Sequence, residues 1–362
     1  MESQDYLNKA LYRRYGSIAT TSSFIRGAEY ASDLPPNTRY AILSMQPMKL
    51  EHTEKSLTEG ARVRNHLEKE FPDGFTYRFQ GSVINATDIK SHSDIDLLCI
   101  TTTFTYMAPG HKATFPWDGN AAQHLKERRG KAKAKLDSSF PKAKVIEGNK
   151  SLAIEGGTLV RKVDVVPSAW EDTQQYLDTK SETYRAIRIL DSSGNGHEGW
   201  GDLHSNTPFL HNHRIDEKDE ATGGSLRKAA RLMKSLKYDT SIDISSYDIV
   251  SIAYSIDKMK LLEKSISQIE IVQLCRDHCE CLIKNRTLRE NLKVPDESRN
   301  IFSPAGPTTL SALEQLHSEL KKLASKIDIE LTTNIRSAAM KHFENTHSSR
   351  PNYEILNNRS IL

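Results

Sequence analysis

The spacing of hydrophobic positions changes twice along the chain. Apolar residues at three- and four-residue intervals predict two helices within residues 1–75, the second from about Met48 to Phe71. Between Phe75 and Val166 apolar and polar positions alternate in short runs, as strands do. Helical spacing returns from Thr222 onward. The pattern therefore predicts an α/β fold with a strand-rich middle.

The strand-rich segment contains a predicted hairpin. The apolar runs that predict strands are Phe75–Phe79, Ile95–Ile100, Ser151–Ile154 and Thr158–Val166. Between the last two stands Gly156-Gly157, and glycine supplies the positive φ angles that a tight hairpin needs. We expect these two strands to pair in an antiparallel manner.

The remaining helices follow from the same periodicity. A helix over Ala121–Leu136 carries six basic side chains; such a run is usually a solvated helix face, and a nucleic-acid contact is the alternative. The C-terminal helices are expected at 222–238, 245–260, 265–286 and 307–327, before a polar tail at 343–362.

Composition narrows the class of protein. The 362 residues are long enough for two compact units, and their four cysteines give no disulfide framework. The chain shows neither a signal peptide nor an apolar run that would cross a bilayer, so we expect a soluble cytoplasmic protein without membrane contact. Its 50 basic and 47 acidic residues leave a net charge of +3, which argues against a dedicated duplex-DNA binder.

The candidate chemistry begins with two carboxylates one residue apart. Asp94 and Asp96 flank Ile95 at the start of a predicted strand, and side chains two positions apart point to the same face of a strand. Two converging like charges are unfavourable unless a cation lies between them, and charged oxygen ligands suit Mg²⁺. A lone pair of this kind is a weak signal by itself.

Two further features strengthen this hypothesis. Gly81-Ser82 ends a predicted strand before a predicted short helix, where backbone N–H groups and a hydroxyl can hold phosphate oxygens. Asp164 lies in the apolar strand Val163–Val166 and needs a partner, either a lysine or a metal. The three aspartates together predict a site for two metal ions, one activating a hydroxyl and one neutralising the leaving triphosphate.

A predicted helix after Thr222 adds a basic face. Arg227, Arg231 and Lys234 share one side of it, opposite an apolar stripe. The pattern fits a triphosphate contact and equally a plain amphipathic surface helix. At the start of the next helix, Ser245 or Ser246 is either a helix N-cap or a phosphate ligand.

These residues resemble the nucleotidyltransferase superfamily, whose motif is Gly-Ser, Asp-apolar-Asp and a distant third Asp. Lys234 and Ser246-Tyr247 are similar to the branch that contains oligoadenylate synthetase, cyclic GMP-AMP synthase and the bacterial CD-NTases. The resemblance spans roughly residues 50–330. It implies a bilobed, polymerase beta-like nucleotidyltransferase fold: a mixed central sheet, an N-terminal spine helix and a helical C-terminal lobe closing over a nucleotide cleft.

On this resemblance we expect a catalytic core over 1–200, a helical lobe over 201–342 and a tail over 343–362. The implied activity is Mg²⁺-dependent condensation of two or three NTPs, ATP among them, into a cyclic oligonucleotide with release of pyrophosphate. The product would act on a downstream effector in a bacterial antiphage system of the CBASS type, and a regulatory protein is a further expected partner.

The resemblance also implies residue roles. Ser82 would contact phosphate, with Gly81 providing the turn. Asp94, Asp96 and Asp164 would bind two Mg²⁺ ions, or Mn²⁺ in their place, with Asp164 nearest the attacking hydroxyl. In the helical lobe the implied contacts are Lys234 and Ser246 to the triphosphate, with Arg231 as a neighbouring candidate, and Tyr247 to a base.

Two alternatives stay open at this point. The same three carboxylates serve a linear nucleotidyltransferase that acts on an RNA end or a protein hydroxyl, and an inactive nucleotidyltransferase fold can serve as a sensor or scaffold. Near the C-terminal lobe, Cys275, His278, Cys279 and Cys281 are either core residues or zinc ligands, and only Cys275 and Cys279 share a helix face.

Overall fold

The computed structural model of the chain describes residues 3–15, 34–90, 93–114, 116–191, 203–263 and 267–332. The chain divides into two compact units. Of the described residues, the sheet unit contains 49–85, 93–114, 116–191 and 203–213. The helical unit contains 3–15, 34–48, 86–90, 214–263 and 267–332.

The sheet unit is built on a mixed seven-stranded sheet. Its strands are β1 (Phe75–Gln80), β2 (Ile95–Met107), β3 (Lys144–Glu147), β4 (Leu152–Gly156), β5 (Leu159–Asp172), β6 (Ala186–Leu190) and β7 (Leu203–Asn206). The order β1-β2-β5-β4-β3 has β2 and β5 parallel and the other pairs antiparallel. Strand β6 pairs with β5, and β7 pairs with β6.

Alternation along β2 gives the sheet two different faces. Ile95, Leu97 and Cys99 join the hydrophobic core formed with α3 (Leu50–Glu70) and α4 (Ala121–Ser139). Leu98 and Ile100 point to the other face, where a smaller cluster includes Trp170. By the same alternation, Asp96 lies on the face of Leu98, away from the larger core. The helices that cover the first face therefore leave this carboxylate on the opposite face of the sheet.

The helical unit has its own hydrophobic core. Its helices are α1 (Ser3–Tyr15), α2 (Pro36–Met45), the C-terminal part of α6 (Pro208–Ala221), α7 (Ser225–Thr240), α8 (Ser246–Tyr254), α9 (Lys258–Glu263), α10 (Gln268–Lys284), α11 (Arg286–Glu290) and α12 (Leu310–Thr332). Among the described residues the sheet unit also contains the short helix α5 (Gln174–Thr179) and a 3-10 turn at Glu182–Tyr184. None of the helices in the described ranges is long and apolar enough to cross a membrane.

The structure confirms the mixed sheet, the helical C-terminal part and the Gly156-Gly157 hairpin, and it differs in local detail. The helix predicted at 245–260 is two helices, because the backbone N–H of Ser255 closes the last turn of α8. Residues 82–86 form a hydrogen-bonded turn rather than a helix. Strands β3, β6 and β7 have no counterpart in the sequence prediction. The predicted tail at 343–362 lies outside the described residues.

The unit boundaries also differ from the expected ones. The division falls at residues 213 and 214, and the described residues before Lys49 group with the helical unit. The reason is packing: Tyr6 and Ala10 of α1 and Tyr40 and Met45 of α2 are buried in the same core as α7. The long helix α3, by contrast, packs in the sheet unit through Val63 and Leu67.

Candidate active site

Strand pairing places two of the predicted carboxylates side by side. Strands β2 and β5 are parallel, and Asp96 is the direct partner of Asp164. Neighbouring strands lie about 4.8 Å apart, and paired residues present their side chains on the same face. The pairing therefore brings together two aspartates that are far apart in the sequence.

The third carboxylate joins them through a lysine that the sequence analysis did not single out. The Lys162 ammonium lies 2.7 Å from Asp164 Oδ2 and 3.3 Å from Asp94 Oδ2. Burial alone would lower the pKa of Lys162, but its hydrogen bonds and charge interactions with these two aspartates raise it. The period-two alternation of strands could have indicated this lysine from the sequence, because Lys162 lies two positions before Asp164 and therefore on the same face of β5.

The surroundings of Asp96 disfavour its charged form. Burial, and then the negative charges of Asp164 and Asp94, raise the pKa of Asp96 to about 7, and Lys162 only partly opposes this. A carboxylate in this position is stabilised as an anion by any cation that approaches it.

The donor set suits a divalent metal. Three carboxylates offer oxygen ligands of high charge, which Mg²⁺ and Mn²⁺ prefer. A cation between them would offset the negative charges of Asp164 and Asp94, which after burial raise the pKa of Asp96. The side chains are not gathered around one point: within the described ranges, no three His, Cys, Asp or Glu side chains stand in metal-binding geometry. The positive charge beside Asp94 and Asp164 is instead that of Lys162.

Gly81 lies directly beside this group, and Ser82 follows it in the chain. Gln80, the last residue of β1, pairs with Asp96, and Gly81 follows with a φ of +97°. A Cβ atom at Gly81 would stand 2.7 Å from Asp96 Oδ2, so the absence of a side chain is a condition for the close approach. The Gly81 carbonyl then accepts the backbone N–H groups of Ile84 and Asn85, which closes the turn that begins at Ser82.

The predicted basic face of α7 lies inside the helical unit. Twelve of the sixteen residues of α7 are buried, Arg227, Arg231 and Lys234 among them. Arg227 Nη1 lies 2.8 Å from Asp219 Oδ2 and forms a second ion pair with Asp216. Helix α7 is therefore not an amphipathic surface helix.

Arg231 and Lys234 hold backbone carbonyls. Arg231 donates from Nε to the Met45 carbonyl at 2.6 Å and from Nη1 to the Ala86 carbonyl at 2.7 Å. Lys234 Nζ donates to the Thr87 carbonyl at 2.6 Å, and its side chain is almost fully buried. Two basic side chains for which the resemblance implies a triphosphate contact thus bind the backbone of Ala86 and Thr87, which follow the Ser82 turn in the chain. Their contact with a triphosphate stays a prediction.

The start of α8 is capped by a neighbour of the predicted phosphate ligand. Ser245 is the N-cap, since its Oγ accepts the backbone N–H of Asp248 at 3.0 Å. Ser246 is exposed and begins the helix. Tyr247 is half-buried, with the Arg299 guanidinium 5.2 Å from its ring centroid. The phosphate role of Ser246 and the base-stacking role of Tyr247 also stay predictions.

Two members of the cysteine and histidine group belong to the hydrophobic core of the helical unit. Cys275 and Cys279 are fully buried in the helical core, and Cys281 is exposed. His278 Nε2 lies 2.7 Å from Ser255 Oγ. The absence of a three-ligand cluster within the described ranges covers these residues too, so the structure offers no support for zinc here.

The basic residues of α4 are mostly engaged within the sheet unit. Arg129 is buried and donates to the carbonyls of Gly148, Asn149 and Ser151. The Arg128 guanidinium stands over the Phe71 and Phe75 rings, Lys133 pairs with Asp137, and Lys135 pairs with Glu70. This favours a solvated structural helix over a nucleic-acid contact.

Comparison with known proteins finds relatives that match most of the chain. The chain is 34% identical over 305 residues to the cyclic dinucleotide synthase CdnE of Yersinia aleksiciae, covering 82% of this chain and 76% of that protein. It is 29% identical over 315 residues to a c-di-GMP synthase of Capnocytophaga granulosa, covering 80% of this chain and 87% of that one. No family model matches the chain.

The fold comparison gives the same result. The structure of the STING-associated CdnE c-di-GMP synthase from Capnocytophaga granulosa matches with a TM-score of 0.73 and 27% identity, covering 91% of this chain and 99% of that one. The mixed sheet carries Asp96 and Asp164, with Asp94 just before β2, and the Gly81-Ser82 turn adjoins the sheet. The sequence identity to the Yersinia aleksiciae CdnE extends over four-fifths of the chain. The chain belongs to the CdnE cyclic dinucleotide synthases of the CD-NTase family.

Proposed function

We propose that this chain joins two nucleoside triphosphates into a cyclic dinucleotide with release of pyrophosphate. The observation that carries the proposal is the pairing of Asp96 with Asp164 across parallel strands, beside Asp94 and next to the Gly81-Ser82 turn. The names of the relatives support a ring of two nucleotides rather than three, and the c-di-GMP synthases among them support GTP as a substrate beside the ATP that the resemblance implies. The product would bind an effector protein in antiphage signalling.

The chemistry of the site residues suggests a role for each of them in this reaction. Asp94, Asp96 and Asp164 would hold two divalent cations, Mg²⁺ or Mn²⁺, which activate the attacking hydroxyl and neutralise the leaving pyrophosphate. Gly81 leaves Asp96 room beside the turn, and the Ser82 hydroxyl and neighbouring backbone N–H groups would hold phosphate oxygens. Asp164 would lie nearest the attacking hydroxyl and would accept its proton.

The first experiment identifies the product. Purified protein is incubated with each NTP alone and in pairs, with Mg²⁺ or Mn²⁺, then treated with phosphatase and analysed by mass spectrometry. We expect a phosphatase-resistant cyclic dinucleotide and loss of product on chelation of the metal. Linear, phosphatase-sensitive material alone would indicate a linear nucleotidyltransferase, and no product under any condition would indicate an inactive scaffold.

The second experiment tests the carboxylates. Replacing both Asp94 and Asp96 by Asn removes two negative charges but keeps the side-chain volume, so we expect product formation to fall by at least about 10³-fold while circular dichroism is unchanged. The matched control is Asp137→Asn, which removes a carboxylate from an ion pair on α4. Normal turnover in the double variant would contradict the metal assignment.

A further inference from the structure

The cluster of three aspartates includes a cationic side chain, that of Lys162. Lys162 lies two positions before Asp164 on β5 and pairs with carboxylate oxygens of two different residues, Asp164 Oδ2 and Asp94 Oδ2. These two aspartates lie on different segments of the chain, one in β5 and one just before β2. A single ammonium thus links both sides of the site.

We propose that Lys162 is the resident counter-cation of this site, which holds Asp94 and Asp164 in the metal-free protein and must leave them when a divalent cation binds. The inference rests on the proposed function in one respect, since it takes the three carboxylates as the metal site. It assigns Lys162 a positioning role, through the two carboxylates.

Geometry makes the exchange feasible. The oxygens that Lys162 contacts belong to the proposed ligands, so lysine and metal compete for them. The Lys162 side chain is 31% exposed and that of Asp94 is 50% exposed, so the ammonium can move into water at little desolvation cost. A buried ammonium would be fixed, whereas this one has a solvated alternative.

Competition between Lys162 and the metal ion predicts whether removing Lys162 strengthens or weakens metal binding. With Lys162 removed, metal no longer displaces an ion pair and no longer meets a like charge beside its ligands. The metal-free protein loses the same ion pairs and becomes less stable. If Lys162 instead pre-organised the ligands for metal, its removal would weaken binding, so the direction of the change separates the two roles.

The test uses Lys162→Met, which keeps the length of the side chain without its charge. Binding of Mn²⁺ alone, without nucleotide, is followed by electron paramagnetic resonance of the free ion, and melting temperatures are recorded with and without Mn²⁺ and Mg²⁺. We expect affinity for Mn²⁺ to increase about two- to fivefold, as the loss of a partly exposed ion pair allows. The metal-free melting temperature should fall, and the metal-induced rise should be larger than in the natural chain.

Two variants frame the result. Lys162→Arg retains a cation and should leave Mn²⁺ affinity close to that of the natural chain. Lys133→Met removes a lysine of similar exposure, 34%, from a 2.7 Å ion pair with Asp137 on α4, and should leave metal binding unchanged. Should Lys162→Met fail to fold, Lys162→Gln replaces it in the same titration.

The outcomes separate this inference from the proposed function. Equal or weaker Mn²⁺ binding in the uncharged variants, Lys162→Met or Lys162→Gln, would overturn the inference, as would absence of metal binding to the natural chain. Tighter binding in a protein that makes no cyclic dinucleotide would support the inference and overturn only the proposed function.

Discussion

Gly81 owes its identity to two separate constraints. Its φ of +97° costs an L-residue about 1–2 kcal/mol, and a Cβ there would meet Asp96 Oδ2 at 2.7 Å. Gly156, in the β4–β5 hairpin, has a φ of +79° but nothing within 4 Å of a Cβ. The two glycines share the backbone constraint and differ in the contact with the site.

This difference gives a prediction at the scale of one atom. Gly81→Ala should displace the Asp96 carboxylate and lower kcat by about 10²-fold, because small displacements of a reacting group have effects of that size. Gly156→Ala should lose comparable stability and keep its activity. Both are measured by initial rates of product formation and by urea unfolding, and equal activity of the two variants would contradict the argument.

His278 is a second residue whose surroundings decide its behaviour. Burial, reinforced by Lys218 and Lys260, lowers the pKa of His278 to about 4, and its Nε2 lies 2.7 Å from Ser255 Oγ. In the unfolded chain a histidine titrates near 6.5. Between about pH 4 and pH 6.5, His278 is therefore mostly neutral in the native state and mostly protonated in the unfolded state.

The consequence is an acid-sensitive contribution to stability. It is fully present above about pH 6.5 and is lost as the pH falls towards 4, with a ceiling of about 3 kcal/mol. His278→Gln should flatten the dependence of the unfolding free energy on pH in that window. Urea titrations at pH 4.5, 5.5 and 7 measure it, and an unchanged slope would show that other groups set the acid sensitivity.

At the scale of elements, α7 shows how a charge pattern misleads. Its basic positions have the spacing of a solvated face, yet Arg231 and Lys234 donate to the carbonyls of Ala86 and Thr87. In the segment they hold, burial raises the pKa of Asp88 to about 6 and lowers that of Lys234 to about 8, although their opposite charges partly offset this. The helix thus braces a loop that carries its own buried charge.

The role of Lys234 can be separated from a substrate contact. Lys234→Met removes the bond to Thr87 and the positive charge facing Asp88, so we expect a loss of about 2–4 kcal/mol in the unfolding free energy. Lys237→Met, on a half-buried position of the same helix, should cost much less. Unchanged stability with a raised KM for NTP would instead place Lys234 at the triphosphate.

At the scale of the whole molecule, each unit has a core of its own, and the charges nearly cancel. The net charge is +3, and much of the positive charge of α4 is committed to Phe71, Asp137, Glu70 and backbone carbonyls. A long polyanion requires many uncommitted cations along one surface. The described part of α4 does not provide them.

We therefore expect duplex DNA to act neither as ligand nor as activator. At 150 mM salt its Kd should be weaker than about 10⁻⁶ M, and its addition should change the rate of product formation less than about twofold. Fluorescence anisotropy and the product assay measure the two quantities. Saturable submicromolar binding, lost on charge reversal of Lys126 and Lys131, would revive the nucleic-acid interpretation of α4.

The sequence by itself determined what local geometry controls. Period-two alternation predicted that Asp94 and Asp96 share a face at the start of a strand, the Gly156-Gly157 pair predicted a hairpin, and the resemblance carried by Gly81-Ser82 and Asp94-Ile95-Asp96 implied nucleotidyl transfer. These are short-range properties, because the backbone fixes them within a few residues. These local features could be predicted without knowing which other elements pack against them.

Only the tertiary structure decided the relations between distant segments. It set Asp164 opposite Asp96, gave Lys162 to Asp94 as well as to Asp164, and buried the basic face of α7 against carbonyls. It also assigned α1 and α2 to the helical core. Strand register and burial depend on which elements pack against each other. The sequence pattern around a charged residue is the same whether its side chain contacts water, a phosphate or a backbone carbonyl, so the pattern does not identify the partner.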